Sequence, residues 1–306
     1  MNFEELTKKI RAEFDSHSQS VIERDVRRLS RLGEIEFDSE QYVADSDAFI
    51  SDMSSACAVD TKSITVQDFD EWYNNYNYED LFPNYCKTYP NKDLLRKKAF
   101  EHWLSIEETK GAPSGDFLDV GCATSPFHEL WKHLDQNDAG RCFQVDLPLP
   151  EYGYKPGVHG NIIGSTADDI PLLDESVSRI YSHNAIEHFE GAAYTGFFQE
   201  AARLLRPGGV IYICPLFVAS TSFAFVSLTG IYRRLSFPKI PAGLKLVYSD
   251  AVGQPYALQI DSTFLKSKIV QPLAKKMDFE LIRYSNREAH EYGVTFALKG
   301  TKKSPS

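Results

Sequence analysis

The chemistry of this sequence gathers around two short runs of residues. In Phe117-Leu-Asp-Val-Gly-Cys-Ala-Thr-Ser-Pro-Phe127 an apolar run carries Asp119, ends at Gly121 and turns directly into a Ser125-Pro126 pair. A strand that gives way to a helix through glycine brings backbone N–H groups close to a ligand and aims them at it. Alone the motif is weak, because Ala123 and Ser125 occupy positions where the fuller pattern has glycine. A second apolar run, Cys142–Val145, leads into Asp146, twenty-five positions after Gly121. A carboxylate at that spacing can accept both hydroxyls of a ribose. Farther on, Arg179–Ser182 is followed by His183, Asn184, Glu187 and His188. Histidine titrates near neutral pH, so His183 and His188 are candidate general bases, and Glu187 is a third. Each has a plainer role available: helix caps for the aspartates, a structural hydrogen bond for His183, service to a helical first turn for the Glu-His pair.

Positioning those groups requires a scaffold, and the pattern supplies one from Asp116 onward. Phe117–Val120 reads as a strand, and Ser125-Pro126 opens a helix carrying Phe127, Leu130, Trp131 and Leu134. Cys142–Val145, Ile162-Ile163 and Arg179–Ser182 follow as strands. Next comes a helix with Tyr194, Phe197, Phe198, Ala201 and Leu205 on its apolar side, and a tight turn at Arg206-Pro207-Gly208-Gly209. Val210–Cys214 is the fifth strand; a helix near Asp261–Lys276 precedes strands at Phe279–Tyr284 and Val294–Leu298. Strands alternating with helices predict an α/β fold, a mostly parallel sheet of seven strands covered on both faces.

The first third has a different character. Phe3, Leu6, Ile10 and Phe14 share one helical face, as do Ile22, Val26 and Leu29, with Gly33 placed to end the second helix. Residues 34–92 are acidic and aromatic and resist assignment, and Trp72–Tyr78 could stack on a sugar or simply cover the core. A helix over Asp93–Glu108 buries Leu95, Ala99, Phe100, Trp103 and Leu104. The expected organisation is a mainly helical extension over residues 1–110, closing over a cofactor mouth. A ligand-binding domain follows over 111–306, with an insertion at about 216–260 that shapes the substrate pocket.

Four segments in order resemble the motif series of small class I S-adenosylmethionine-dependent methyltransferases: LDVGCATSPF, VDLPL, STADDIPLLDESVSRIYSHNAIEHF and EAARLLRPGGVIYI. The resemblance covers about residues 116–214 and implies a Rossmann-like sheet, S-adenosylmethionine as cofactor and S-adenosylhomocysteine as product. It gives Asp119 the methionine ammonium and Gly121 the room for the methionine portion, with Cys122 and Ala123 completing that loop. Asp146 would bind the ribose, and Leu147 would pack on adenine. The family's adenine-binding Asp is Thr166 here, so Thr166, Ala167 and Asp168 share that assignment. His183 would line the floor between cofactor and acceptor. The implied acceptor is small or medium in size, with an oxygen of a sugar, glycan or natural product as the leading expectation. Two rivals stay open: a non-catalytic methyltransferase-like binding or regulatory protein, and an NAD-dependent oxidoreductase.

Bulk composition narrows the partners. A formal charge of −10 over 306 residues argues against non-specific nucleic-acid binding. Five scattered cysteines show no metal-ligand spacing and suit reduced thiols in the cytoplasm. Val210–Tyr232 contains no charged residue, but Pro215 and several Ser, Thr and Gly interrupt it. It predicts no transmembrane span and leaves peripheral lipid contact as an expectation.

Overall fold

The structure is a computed structural model; it describes residues 7–8, 12, 19–31, 35–36, 38–134, 140–149, 153–234, 237–241, 243–249 and 254–304. The predicted helix carrying Phe3, Leu6, Ile10 and Phe14 lies outside the described residues, as does Gly33. Among the described residues the strands, in chain order, begin with β1 (Ile35–Glu36), β2 (Ala58–Lys62), β3 (Phe117–Val120), β4 (Cys142–Asp146), β5 (Gly157–His159) and β6 (Ile162–Gly164). They continue with β7 (Val177–His183), β8 (Leu205–Cys214), β9 (Phe223–Val226), β10 (Lys245–Tyr248), β11 (Tyr256–Gln259), β12 (Met277–Tyr284) and β13 (Phe296–Lys302).

The chain divides into two compact units. One comprises Met1–Phe49, Glu187–Ala192 and Phe217–Leu265; the other comprises Ile50–Ile186, Ala193–Leu216 and Lys266–Ser306. The first holds a four-stranded sheet in the order β1-β10-β9-β11. Tyr42 stacks on Phe223 there, at 4.9 Å between ring centroids, and the helix Gln19–Ser30 buries Val26 and Leu29.

The second unit is built on a nine-stranded sheet in the order β2-β12-β13-β8-β7-β3-β4-β6-β5. Pairing is parallel throughout β8-β7-β3-β4-β6 and again between β12 and β2; β13 runs antiparallel to both of its neighbours. This is the expected α/β architecture, mostly parallel with helices on both faces. Two strands beyond the predicted seven, β2 and β5, extend its edges. Strands buried on both faces read as continuous apolar runs, and every residue of β3 is buried. The Arg206–Gly209 segment is a bulge rather than a free turn: opposite Val177–Arg179, the paired positions jump from Leu205 to Val210.

One face of this sheet is covered by the helix Lys92–Glu108, longer by one residue than its pattern predicts. Asn91 caps it, its side chain accepting the N–H groups of Asp93 and Leu94. The predicted stripe is buried in full, and Phe100 lies wholly buried within an aromatic cluster. Its ring lies 5.0 Å from Phe69 edge-on, 5.7 Å from Trp103 and 4.6 Å from Tyr292. The aromatic run at Trp72–Tyr78 belongs to the same cluster: Trp72 and Tyr73 pack against it and Tyr78 is within it. The stretch that resisted assignment therefore folds as short helices, Val66–Asn75, Tyr78–Leu81 and Pro83–Thr88, whose rings supply this core.

Removing the Phe100 ring from that cluster leaves a void that rigid neighbours cannot fill. Phe100→Ala is expected to lower unfolding free energy by about 3–5 kcal/mol, read from urea denaturation. Leu94→Ala on the same helix, where the side chain is 41% exposed, should change it by less than about 0.5 kcal/mol. Equal effects at the two positions would mean that the helix does not pack on the sheet as described.

Candidate cofactor site at the strand ends

The strand order reverses between β3 and β7, with β4 and β6 built outward on one side and β8 on the other. Ligands of open α/β sheets bind at that switch, beyond the carboxyl ends of the strands. Asp119, Asp146 and His183 all stand at those ends. The sequence-predicted groups Gly121, Cys122, Ala123 and Leu147 follow directly on β3 and β4.

Asp119 is 1% exposed. One oxygen, Oδ1, lies 3.4 Å from Nδ1 of His183; the other, Oδ2, is buried without a hydrogen-bond partner. Burying an ionised oxygen without a donor is costly, so a site of this kind is completed by a cation or donor from a ligand. His183 is fixed from its other side as well. Ser105 donates its hydroxyl proton to the carbonyl of Glu101 at 2.9 Å, so its oxygen accepts from Nε2 of His183 at 2.7 Å. Both ring nitrogens of His183 therefore face protein atoms, and the ring orients Asp119.

Asp146 clamps the loop. Its Oδ2 accepts the backbone N–H of Ala123 at 2.7 Å, and Oδ1 accepts that of Leu147 at 2.7 Å. Gly121 has φ +74° and Ala123 φ +44°. The left-handed region costs a non-glycine residue about 1–2 kcal/mol, so Ala123 is strained where the usual motif avoids strain. It is held on both sides, by Asp146 at its N–H and by Tyr154, which donates its hydroxyl to the Ala123 carbonyl at 3.0 Å. Tyr154 also lies 2.9 Å from Sγ of Cys122. Burial, then Asp119 and Asp146, push the Cys122 thiol well up, so it stays protonated.

Ser165 donates its N–H to the Asp146 carbonyl at 2.9 Å, which sets Thr166, Ala167 and Asp168 just beyond β6. Thr166 and Asp168 are exposed and Ala167 is buried. Gly196 makes room for Asp168, whose Cβ lies 2.6 Å from where a β-carbon on that glycine would be. Leu147 is 42% exposed, an apolar surface beside the Asp146 carboxylate.

Glu187 and His188 belong to the other unit. His188 donates from Nδ1 to the Tyr256 carbonyl at 2.6 Å, and its Nε2 lies 3.5 Å from Oε1 of Glu187. Glu187 is buried, and its Oε2 has no hydrogen-bond partner.

Sequence reasoning did not find Tyr78, His102, Ser105 or Tyr154. His102 is wholly buried, with Nδ1 2.7 Å from the Tyr78 hydroxyl and Nε2 3.3 Å from Oγ of Ser125. A signal was present: Glu101, His102, Ser105 and Thr109 are polar residues on the core side of an amphipathic helix. Glu101 pairs with Lys98 at 3.1 Å. Among the described residues no group of three His, Cys, Asp or Glu side chains could hold a metal ion, and no helix is long and apolar enough to cross a membrane. The five cysteines are free thiols.

Residues 118–213 match the family model described as a methyltransferase domain. Among curated proteins nothing matches closely enough to count as a relative. Similar solved structures include an S-adenosylmethionine-dependent methyltransferase of Thermotoga maritima, at 15% identity and a TM-score of 0.41, over 74% of this chain and 99% of that one. Another is the 1,6-didemethyltoxoflavin-N1-methyltransferase of Burkholderia thailandensis with bound S-adenosylhomocysteine, at 12% identity and 0.40, over 81% and 94%. A third, from an antibiotic biosynthesis pathway of Anabaena variabilis, shows 23% identity and 0.29 over 37% of this chain. This chain spans 44% of that protein's length.

The buried histidine carries a pH signature. Burial above all, then His183 and Lys98, hold His102 well below the usual histidine range. His128 is lowered too, chiefly by burial. Unfolding exposes both to protons, so their contribution is present in full above about pH 6.5 and is lost as pH falls below it. The unfolding free energy read from urea denaturation should be flat just above neutrality and decline below it, by at most about 1.4 kcal/mol per pH unit for His102 and by less for His128. His102→Gln should make that decline shallower; an unchanged slope would place the acid sensitivity elsewhere.

Proposed function

We propose, from the premise that this chain is a class I S-adenosylmethionine-dependent methyltransferase, that its acceptor is a hydroxyl of a sugar, glycan or natural product. The methyl-transfer reading rests on one arrangement above all: a buried Asp119 oxygen with no protein partner beside a loop clamped by Asp146, both at the switch point of the sheet. The residues fit the cofactor. Asp119 offers its free oxygen to the methionine ammonium, and Gly121, Cys122 and Ala123 follow it in the loop. Asp146, at the end of β4, is assigned to the ribose hydroxyls, and exposed Leu147 offers an apolar face to adenine. Thr166, Ala167 and Asp168 are assigned to the adenine edge.

When bound, S-adenosylmethionine supplies a methyl group already activated by a sulfonium. The protein's share of the work is then alignment, exclusion of water and removal of one proton. His183, tied through both nitrogens, is assigned to positioning. Glu187 and His188 keep their sequence-based assignment as candidate bases; within their own unit Oε2 of Glu187 is buried without a hydrogen-bond partner, and His188 is anchored on the Tyr256 carbonyl. A carboxylate of that kind accepts the hydrogen bond of a hydroxyl and takes its proton as the new C–O bond forms. The acidic charge of the chain and its aromatic-rich first third are what favour a hydroxyl of a sugar or natural product as acceptor. The insertion at about 216–260 is assigned to the acceptor pocket.

Calorimetric titration of S-adenosylhomocysteine into the native protein should show binding, and Asp146→Ala should weaken it by about 100-fold, the worth of two hydrogen bonds to a charged group. A folded native protein that binds NAD and not S-adenosylhomocysteine would overturn the assignment. With labelled cofactor and a panel of hydroxyl and amine acceptors, Glu187→Gln should lower kcat by about 10²- to 10⁴-fold while leaving S-adenosylhomocysteine affinity unchanged. Full activity in that variant would remove Glu187 as the base.

A further inference from the structure

Tyr78, His102 and Ser125 form a chain of contacts that the methyl-transfer chemistry above does not use. Two of them come from the helical segments at residues 78–108, outside the span that matches the methyltransferase family. The third sits in the loop of Gly121 and Ala123. We propose that this chain of three is a hydrogen-bond relay that donates to the α-carboxylate of the cofactor's amino-acid moiety. The proposal rests on the methyltransferase reading.

Counting protons gives the relay its direction. A phenol, a neutral imidazole and a serine hydroxyl carry one mobile proton each. Two contacts, Tyr78 to Nδ1 and Nε2 to Ser125, consume two of the three. The backbone N–H of Phe127 already donates into Oγ of Ser125 at 3.3 Å, so the serine oxygen has an accepted bond without using its own proton. With the imidazole proton on Nε2, Tyr78 donates to Nδ1, Ser125 accepts, and the serine proton is left over. With it on Nδ1, Ser125 donates to Nε2, and the tyrosine proton is left over. In either tautomer one donor remains uncommitted in a buried place, and a buried donor without an acceptor is costly. A ligand that accepts a hydrogen bond removes that cost.

Position identifies the acceptor as a carboxylate. The His102 ring stands edge-on to His183, at 5.0 Å and 87°, and Nδ1 of His183 lies 3.4 Å from the Asp119 carboxylate. Asp119 has one oxygen left for an ammonium. An α-amino acid carries its carboxylate one carbon away from its ammonium, so the donor for one must lie beside the acceptor for the other. Such a zwitterion is neutral overall. One buried carboxylate with a neutral donor relay matches it without burying an arginine or lysine.

Calorimetry with two ligands tests this: S-adenosylhomocysteine, and its decarboxylated analogue, which keeps the adenosine, sulfur and amine. The native protein should bind S-adenosylhomocysteine at least about tenfold more tightly than the analogue, the worth of one charge-assisted hydrogen bond. Ser125→Ala and His102→Phe should each lose about tenfold for S-adenosylhomocysteine and less than about twofold for the analogue. Should His102→Phe fail to fold, Ser125→Ala and Tyr78→Phe decide the matter, with circular dichroism as the folding check. Equal loss for both ligands would overturn the relay and leave a purely structural loop anchor. Equal native affinity for the two would overturn it as well, leaving the methyltransferase reading intact. Native protein that binds neither ligand would overturn that reading itself.

Discussion

Asp119 brings a charge into the most enclosed part of the sheet, on a strand paired on both sides and buried along its length. Only one of its oxygens has a partner in the protein, and that partner is a histidine at the long distance of 3.4 Å. Holding an ionised group there costs several kcal/mol after relaxation, and the cost must be met by the packing around it. The aromatic cluster on the covering helix and the parallel pairing of β4, β3 and β7 supply that packing. They also explain why the side chain cannot retreat to water. A carboxylate held in this way keeps one oxygen without a hydrogen-bond partner in the protein.

Several of the groups around the two aspartates are held neutral by burial. Burial holds His102 neutral and keeps Tyr78, Tyr85, Tyr154 and Cys122 protonated. The buried Glu101 beside them is paired with Lys98 at 3.1 Å. Ala123 is held by its neighbours too. Its left-handed backbone is unfavourable alone, but Asp146 and Tyr154 grip both ends of the residue. Strain of this kind persists where surrounding bonds over-determine it.

The central sheet was readable because strands buried on both faces leave uninterrupted apolar runs, and Phe117–Val120 matches its predicted limits to the residue. The places of Asp119 and Asp146 at strand ends were readable because each stands at the close of an apolar run. Ala58–Lys62 was not: an edge strand with no fully buried residue lacks the apolar pattern that marks its central neighbours. Nor were the partners of His102, which lie 24 and 23 positions away in sequence and meet only once the helix docks. The segment 216–260 read as an insertion that shapes the substrate pocket, with no strands assigned; it forms three strands of a second sheet, whose fourth, Ile35–Glu36, comes from far upstream. Pairings of that range leave no local trace. Both nitrogens of His183 being engaged is a further fact that no spacing rule carries.

The edge strand at Ala58–Lys62 has a consequence for how the chain is made. It pairs with Glu280–Tyr284, and the backbone N–H of Ile64 is received by Asn286, 222 residues away. A ribosome releases residues 58–64 long before it has made their partners. Until residues 280–284 are made, that segment has no partner strand to join. Long-range pairing of this sort is slow and exposes strand edges to other chains. The alternation of aspartate, threonine and lysine in Asp60-Thr61-Lys62 then acquires a purpose in biogenesis: charge on a waiting edge discourages it from pairing with the wrong neighbour.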